Sequence, residues 1–128
     1  MQYISMQDIP KLKIELQPKK EMFMVEIDGK QCIRLIDYLN EISERLQFPI
    51  KAKGLDGYND WMRDLSWIKA RQIVILIRNY RDFLREDIPS KEAIIADFNQ
   101  LILPWWESEA KEFIADDEIK EMIIYIAS

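Results

Sequence analysis

Three short apolar runs punctuate the chain: Met22–Ile27, Ile73–Ile77 and Met122–Ala127. The second is unbroken and the third nearly so, as strands covered on both faces tend to be. The segments between them carry helical period, which predicts crossover connections of a parallel sheet, right-handed almost without exception. The predicted fold class is α/β, a small three-stranded parallel sheet flanked by helices, with an optional extra N-terminal edge strand. That strand is assigned to Leu12–Leu16, where Leu12, Ile14 and Leu16 alternate with Lys13 and Glu15; it should be an antiparallel edge or irregular.

In the first connection, Leu35, Ile36, Leu39, Ile42 and Leu46 recur at helical spacing after a turn at Asp28-Gly29. The helix should stop before Pro49, because the residue preceding proline avoids helical backbone. In the second, a short helical piece is expected near Arg81–Arg85. A longer helix should follow, with Ser90 as N-cap, Glu92 in the first turn, and Ile94, Ile95, Phe98, Leu101 and Ile102 as the buried stripe. Pro104 should kink that helix or start another, and Trp105–Phe113 reads as helical again.

A loop from Ile50 to Gly54 leads into the segment Gly54–Trp67. Read as a helix, it sets Asp56, Asp60 and Asp64 in one row, with Tyr58, Trp61, Met62 and Leu65 on a buried side. Asn59 and Arg63 are expected toward solvent beside the aspartates. Like charges four apart repel by roughly 0.2–0.5 kcal/mol per pair, so folding alone does not choose such a row. Two readings fit: a solvated helix face, or a surface that meets something cationic. Trp61 is expected in the core. Trp67, just past the helix, is either buried or a contact anchor. Trp105 and Trp106 cannot both face one way.

The 128 residues read as one domain over 1–128, with residues 1–21 as an N-terminal extension. The longest apolar run is far short of a membrane span, and Asp8, Pro10 and Lys11 interrupt any signal-peptide core. One cysteine, Cys32, rules out an internal disulfide and fits a reducing compartment, so cytoplasm is expected. The net charge of -5 arises entirely beyond Pro104, where Glu107, Glu109, Glu112, Asp116, Asp117, Glu118 and Glu121 outnumber Lys111 and Lys120. Acidic balance argues against nucleic acid and favours a basic protein partner, or a plain solvated face.

Much catalytic chemistry is missing. No histidine is present, which removes imidazole triads and the commonest metal ligand. Glycines occur only at Gly29, Gly54 and Gly57, so there is no phosphate loop. No cofactor and no metal are expected, although three aspartates could in principle hold Mg²⁺ in a metal-assisted enzyme. Cys32 reads as a buried thiol.

The order of features resembles the barstar family, the intracellular inhibitors of barnase-type ribonucleases. Ile27-Asp28-Gly29 is similar to the family's opening strand and turn, and Leu35–Leu46 with Phe48-Pro49 to its first helix and the proline before the binding loop. Leu55-Asp56-Gly57-Tyr58-Asn59-Asp60 keeps the family spacing of two aspartates, and Asp64-Leu65-Ser66-Trp67 resembles the continuation. Ile73–Ile77 with Tyr80 and Phe83, and the final Met122–Ala127, complete a likeness that covers about residues 22–128.

The resemblance implies a non-enzymatic protein that plugs the active-site cleft of a basic ribonuclease-type toxin with its second helix and the loop before it. The implied partner-binding residues are Asp56 and Asp60, with Asp64, Asn59, Trp67, Lys53 and Gly54 around them. Lys51, Ala52 and Lys53 depart from the aromatic and acidic residues of the best-known members, and Asn59 replaces an interface tryptophan. An interaction or structural domain of this fold that no longer binds a nuclease is the alternative.

Overall fold

The computed structural model describes residues 1–17 and 21–128; of the N-terminal extension, residues 18–20 lie outside the described residues. Four parallel strands form one sheet in the order β1-β4-β3-β2. They are β1 (Gln2–Ile4), β2 (Met22–Asp28), β3 (Gln72–Arg78) and β4 (Glu121–Ala127). The three apolar runs are therefore neighbours, with Val25 opposite Ile75 and Ile75 opposite Ile124.

Their uninterrupted apolar character has a direct cause. Ile73, Ile75 and Ile77 face one core with Val25, Ile27, Ile124 and Ile126, while Val74 and Leu76 face another on the opposite side. Helices α2 (Leu35–Arg45), α3 (Leu55–Met62) and α4 (Ile88–Asp97) contribute to the first core, and α1 (Ile9–Leu16) covers the second.

The extra edge strand exists, but it is Gln2–Ile4, and it runs parallel to β4. Leu12–Leu16 is helix instead. Ile9, Leu12 and Leu16 are its buried positions while Ile14 is exposed, which is helical spacing that mimics alternation over five residues. Pro10 in the first turn starts the helix, where a missing N–H costs nothing.

Three smaller expectations also change. Ile36 is exposed, because the buried face of α2 runs through Tyr38, Leu39, Ile42 and Ser43. The short helical piece near Arg81–Arg85 is present as a 3-10 turn, Tyr80–Asp82. Asp87, not Ser90, caps α4, its carboxylate accepting from the Ser90 N–H at 3.3 Å; Pro89 fits the first turn that follows. Beyond α4 the chain neither breaks nor restarts at Pro104. Two π-helical turns, Phe98–Ile102 and Trp105–Glu109, flank it. Widening the turn accommodates a residue that lacks an N–H and whose ring would meet the preceding turn. Trp106 is buried there and Trp105 half-buried, so the pair does point two ways.

Gly29, just past β2, has a steric reason to be glycine. A Cβ there would lie 2.3 Å from the Asn79 carbonyl oxygen. Asn79 itself sits in left-handed backbone and donates its side-chain amide to Asp28 at 2.9 Å.

Candidate binding face

Helix α3 is only eight residues long, a length that is marginal in isolation, so its packing must hold it. Tyr58, Met62 and Leu65 are fully buried beneath it. The Tyr58 hydroxyl meets that of Tyr38 on α2 at 2.6 Å, with both rings out of solvent. At the far end, the Trp106 indole N–H donates to the Met62 carbonyl at 2.9 Å. Apolar area and two buried polar links, one from α2 and one from the π-helical turn at Trp106, thus hold α3.

The outer side carries Asp56 and Asp60, both exposed. Asp56 lies in the first turn, where the helix dipole favours a negative charge. Asp60 is 76% exposed and pairs with Arg63 at 3.2 Å. Asp64 is exposed too, but the helix ends at Met62, so the expected row of three is two helical aspartates and one in the following turn. Its carboxylate accepts from the Ser66 N–H at 3.2 Å and closes that turn. Leu65 there takes left-handed backbone, φ 52°, which turns its side chain inward.

Asn59 corrects the expectation of a solvent-facing residue. It is 8% exposed and donates its amide to Asp97 on α4 at 2.9 Å, tying α3 to its neighbour. Trp61, expected in the core, is half-buried at the margin. It joins Phe48 and Trp67 in an aromatic cluster, with Trp61 and Trp67 edge to face at 5.3 Å. Trp67 is likewise half-buried, and its indole N–H is spent internally on the Leu46 carbonyl at 2.8 Å.

The preceding loop is anchored as well. Ala52 is buried and donates its N–H to the hydroxyl of Ser43, itself buried on α2, at 3.1 Å. Lys51 and Lys53 on either side are exposed, and Gly54 enters the helix from extended backbone. Sequence reasoning missed Ser43 and Asp97 as supports. Ser43 had a readable signal, since it lies in the Leu39–Ile42–Leu46 stripe where a small polar side chain must find a partner.

The other chemistry is structural. Cys32 is buried, and burial first, then the nearby Glu41, Asp37 and Asp28 carboxylates, push its thiol up to about 12, far from a thiolate nucleophile. Among the described residues no group of three or more acidic or thiol side chains converges so as to hold a metal ion. No helix among them is long and apolar enough to cross a membrane. A groove of about 590 Å³ between the β2 edge and α2 is lined by Glu26, Glu41, Arg45 and Arg78, away from α3.

The sequence model of one protein family, described as Barstar (barnase inhibitor), matches residues 22–123. No curated protein and no solved structure matches the chain.

Proposed function

The chain belongs to the barstar family, and from that premise we propose that it is an inhibitor that seats α3 in the active-site cleft of a basic ribonuclease-type toxin. One observation carries this reading. Asp56 and Asp60, the latter paired only with the neighbouring Arg63, are exposed on a helix whose Tyr58, Asn59 and Met62 are buried and whose preceding loop is pinned through Ala52 and Ser43. Carboxylates fixed in advance lose little freedom on binding, which is where rigid recognition surfaces gain affinity.

Asp60 makes the central contact. It leaves an exposed ion pair with Arg63 worth about 0–1 kcal/mol for charge-assisted bonds to the cations that hold an RNA phosphate. Asp56 is second and Asp64, already occupied with Ser66, third. Gly54, Lys53 and the half-buried Trp67 border the contact, and Asn59 acts from beneath it by fixing α3. The protein works as a binding module and not as an enzyme, an immunity protein that protects the producing cell from within its reducing cytoplasm. The buried, raised thiol of Cys32 and the lack of histidine support that assignment.

The experiment is titration of the target ribonuclease with the parent, Asp60→Ala and Asp56→Ala. Asp60→Ala should keep its fold and lose about 3–5 kcal/mol of binding, the cost of stranding a desolvated charge. Binding should also fall as salt rises. If both alanine variants inhibit as tightly as the parent, α3 is not the inhibitory face.

A further inference from the structure

Along Lys51–Ala52–Lys53 burial alternates exposed, buried, exposed. The Ser43 hydroxyl accepts from the Ala52 N–H and pins that backbone inward, so the exposed lysines on either side leave an anchored backbone next to the first turn of α3. Neither forms a salt bridge among the described residues. Ahead of the loop, at the end of α2, the Trp67 indole N–H donates to the Leu46 carbonyl. Along the chain the surface therefore runs from two ammonium groups, through Gly54, to the carboxylates of Asp56 and Asp60. It is a dipolar surface on a rigid support.

Resting on the reading of α3 as the inhibitory face, we propose that Lys51 and Lys53 are specificity-determining residues that demand an acidic rim on the partner. A cleft that is basic throughout would attract the aspartates and repel the lysines, and like charges brought together at an interface cost affinity without any new clash. A cleft with a cationic phosphate-binding floor and carboxylates at its edge satisfies both halves. The lysines thus select one kind of ribonuclease and exclude the uniformly basic kind, whereas solvation of the loop alone would require neither sign.

Barnase, which the family's description names as the inhibited protein, serves as the probe, being the ribonuclease type to which the family resemblance gives a basic cleft. The full chain, Lys51→Glu/Lys53→Glu, Asp60→Ala and the combined triple variant are titrated against its hydrolysis of RNA. The double lysine variant should inhibit at least about tenfold more tightly than the parent, and adding Asp60→Ala should reverse the gain. Unchanged or weaker inhibition by the lysine variant, with Asp60→Ala still weakening it, overturns the rim assignment and leaves the inhibitory face standing. If the lysine variant gains but Asp60→Ala takes nothing away, the reading of α3 falls, and this proposal with it. Lack of inhibition by the parent and the lysine variant alike also overturns the proposal, since the lysines would then not be what keeps a basic cleft out. Thermal unfolding should be unchanged in the lysine variant, because both side chains are exposed.

Discussion

The buried hydroxyl pair behind α3 permits a sharp energetic test. Tyr38 and Tyr58 are both fully buried, and each hydroxyl has the other as its hydrogen-bond partner at 2.6 Å. Tyr58→Phe keeps the ring, its edge-to-face packing against Tyr38 at 5.5 Å and its apolar area, so almost no cavity forms. What changes is the Tyr38 hydroxyl, which is left in the core without that partner. An orphaned buried polar group costs about 1–3 kcal/mol, and Tyr38→Phe should cost a similar amount for the mirror reason. Tyr38→Phe/Tyr58→Phe removes both groups and orphans nothing, so it should cost less than either single change. The assay is urea unfolding followed by far-UV circular dichroism, with the slope against denaturant checked for constancy across the four proteins. The coupling from the double-mutant cycle should then exceed about 1 kcal/mol, beyond what independent sites show. A double variant whose loss equals the sum of the singles would mean that the two hydroxyls do not depend on each other. The bracing of α3 by α2 would then be apolar only.

Two further expectations concern the same framework. Burial raises both phenols above their ordinary value of 10.0, with the hydrogen bond from Tyr58 partly offsetting the rise at Tyr38. The unfolded chain therefore releases these protons first, and stability should be intact below pH 10 and fall above it as pH climbs toward the folded values. Alkaline unfolding curves should be shallower for Tyr38→Phe/Tyr58→Phe; equal slopes would place the lost protons elsewhere. Lys120, 7% exposed, donates to the carbonyls of Ile68 and Ala70 at 2.5 and 2.7 Å and clamps the segment after α3 to β4. Lys120→Met should cost about 1.5–3 kcal/mol in thermal or chemical unfolding, since bonds to a charged donor are lost and two carbonyls left bare; a neutral result would show the clamp to be idle.

What was legible in the sequence follows from how strongly each segment's own pattern constrains it. A strand buried on both faces has no polar residue to place, so Ile73–Ile77 announced itself. Helix α1 is two turns long, and over so short a stretch Leu12, Ile14 and Leu16 fit period two as well as Ile9, Leu12 and Leu16 fit a helix. Strand β1 has three residues, and only its pairing with the far end of the chain makes it a strand, so no local signal could reveal it. Ser90 looked like a cap because it precedes an apolar stripe, yet Asp87 lies where Pro89 can occupy the first turn.

The candidate face divides along the same line. The exposure of Asp56 and Asp60 followed from helical spacing alone, because their one partner, Arg63 beside Asp60, lies within the same segment. Asn59 reads as solvent-facing by its polarity, but its position on the helix decides its burial. It lies between Leu55 and Met62 at helical intervals, in the stripe that packs inward, and its amide meets an acceptor contributed by a helix far along the chain. The same holds for Ser43 beneath Ala52 and for the Leu46 carbonyl beneath Trp67. The exposed charges could thus be read from one segment, whereas the groups that hold their helix in place come from elsewhere in the chain. A short helix cannot hold itself, so the precision of Asp56 and Asp60 depends on residues that never reach the surface. Mutations at Ser43 or Asn59 should therefore act on affinity through the order of this face, without removing a single charge from it.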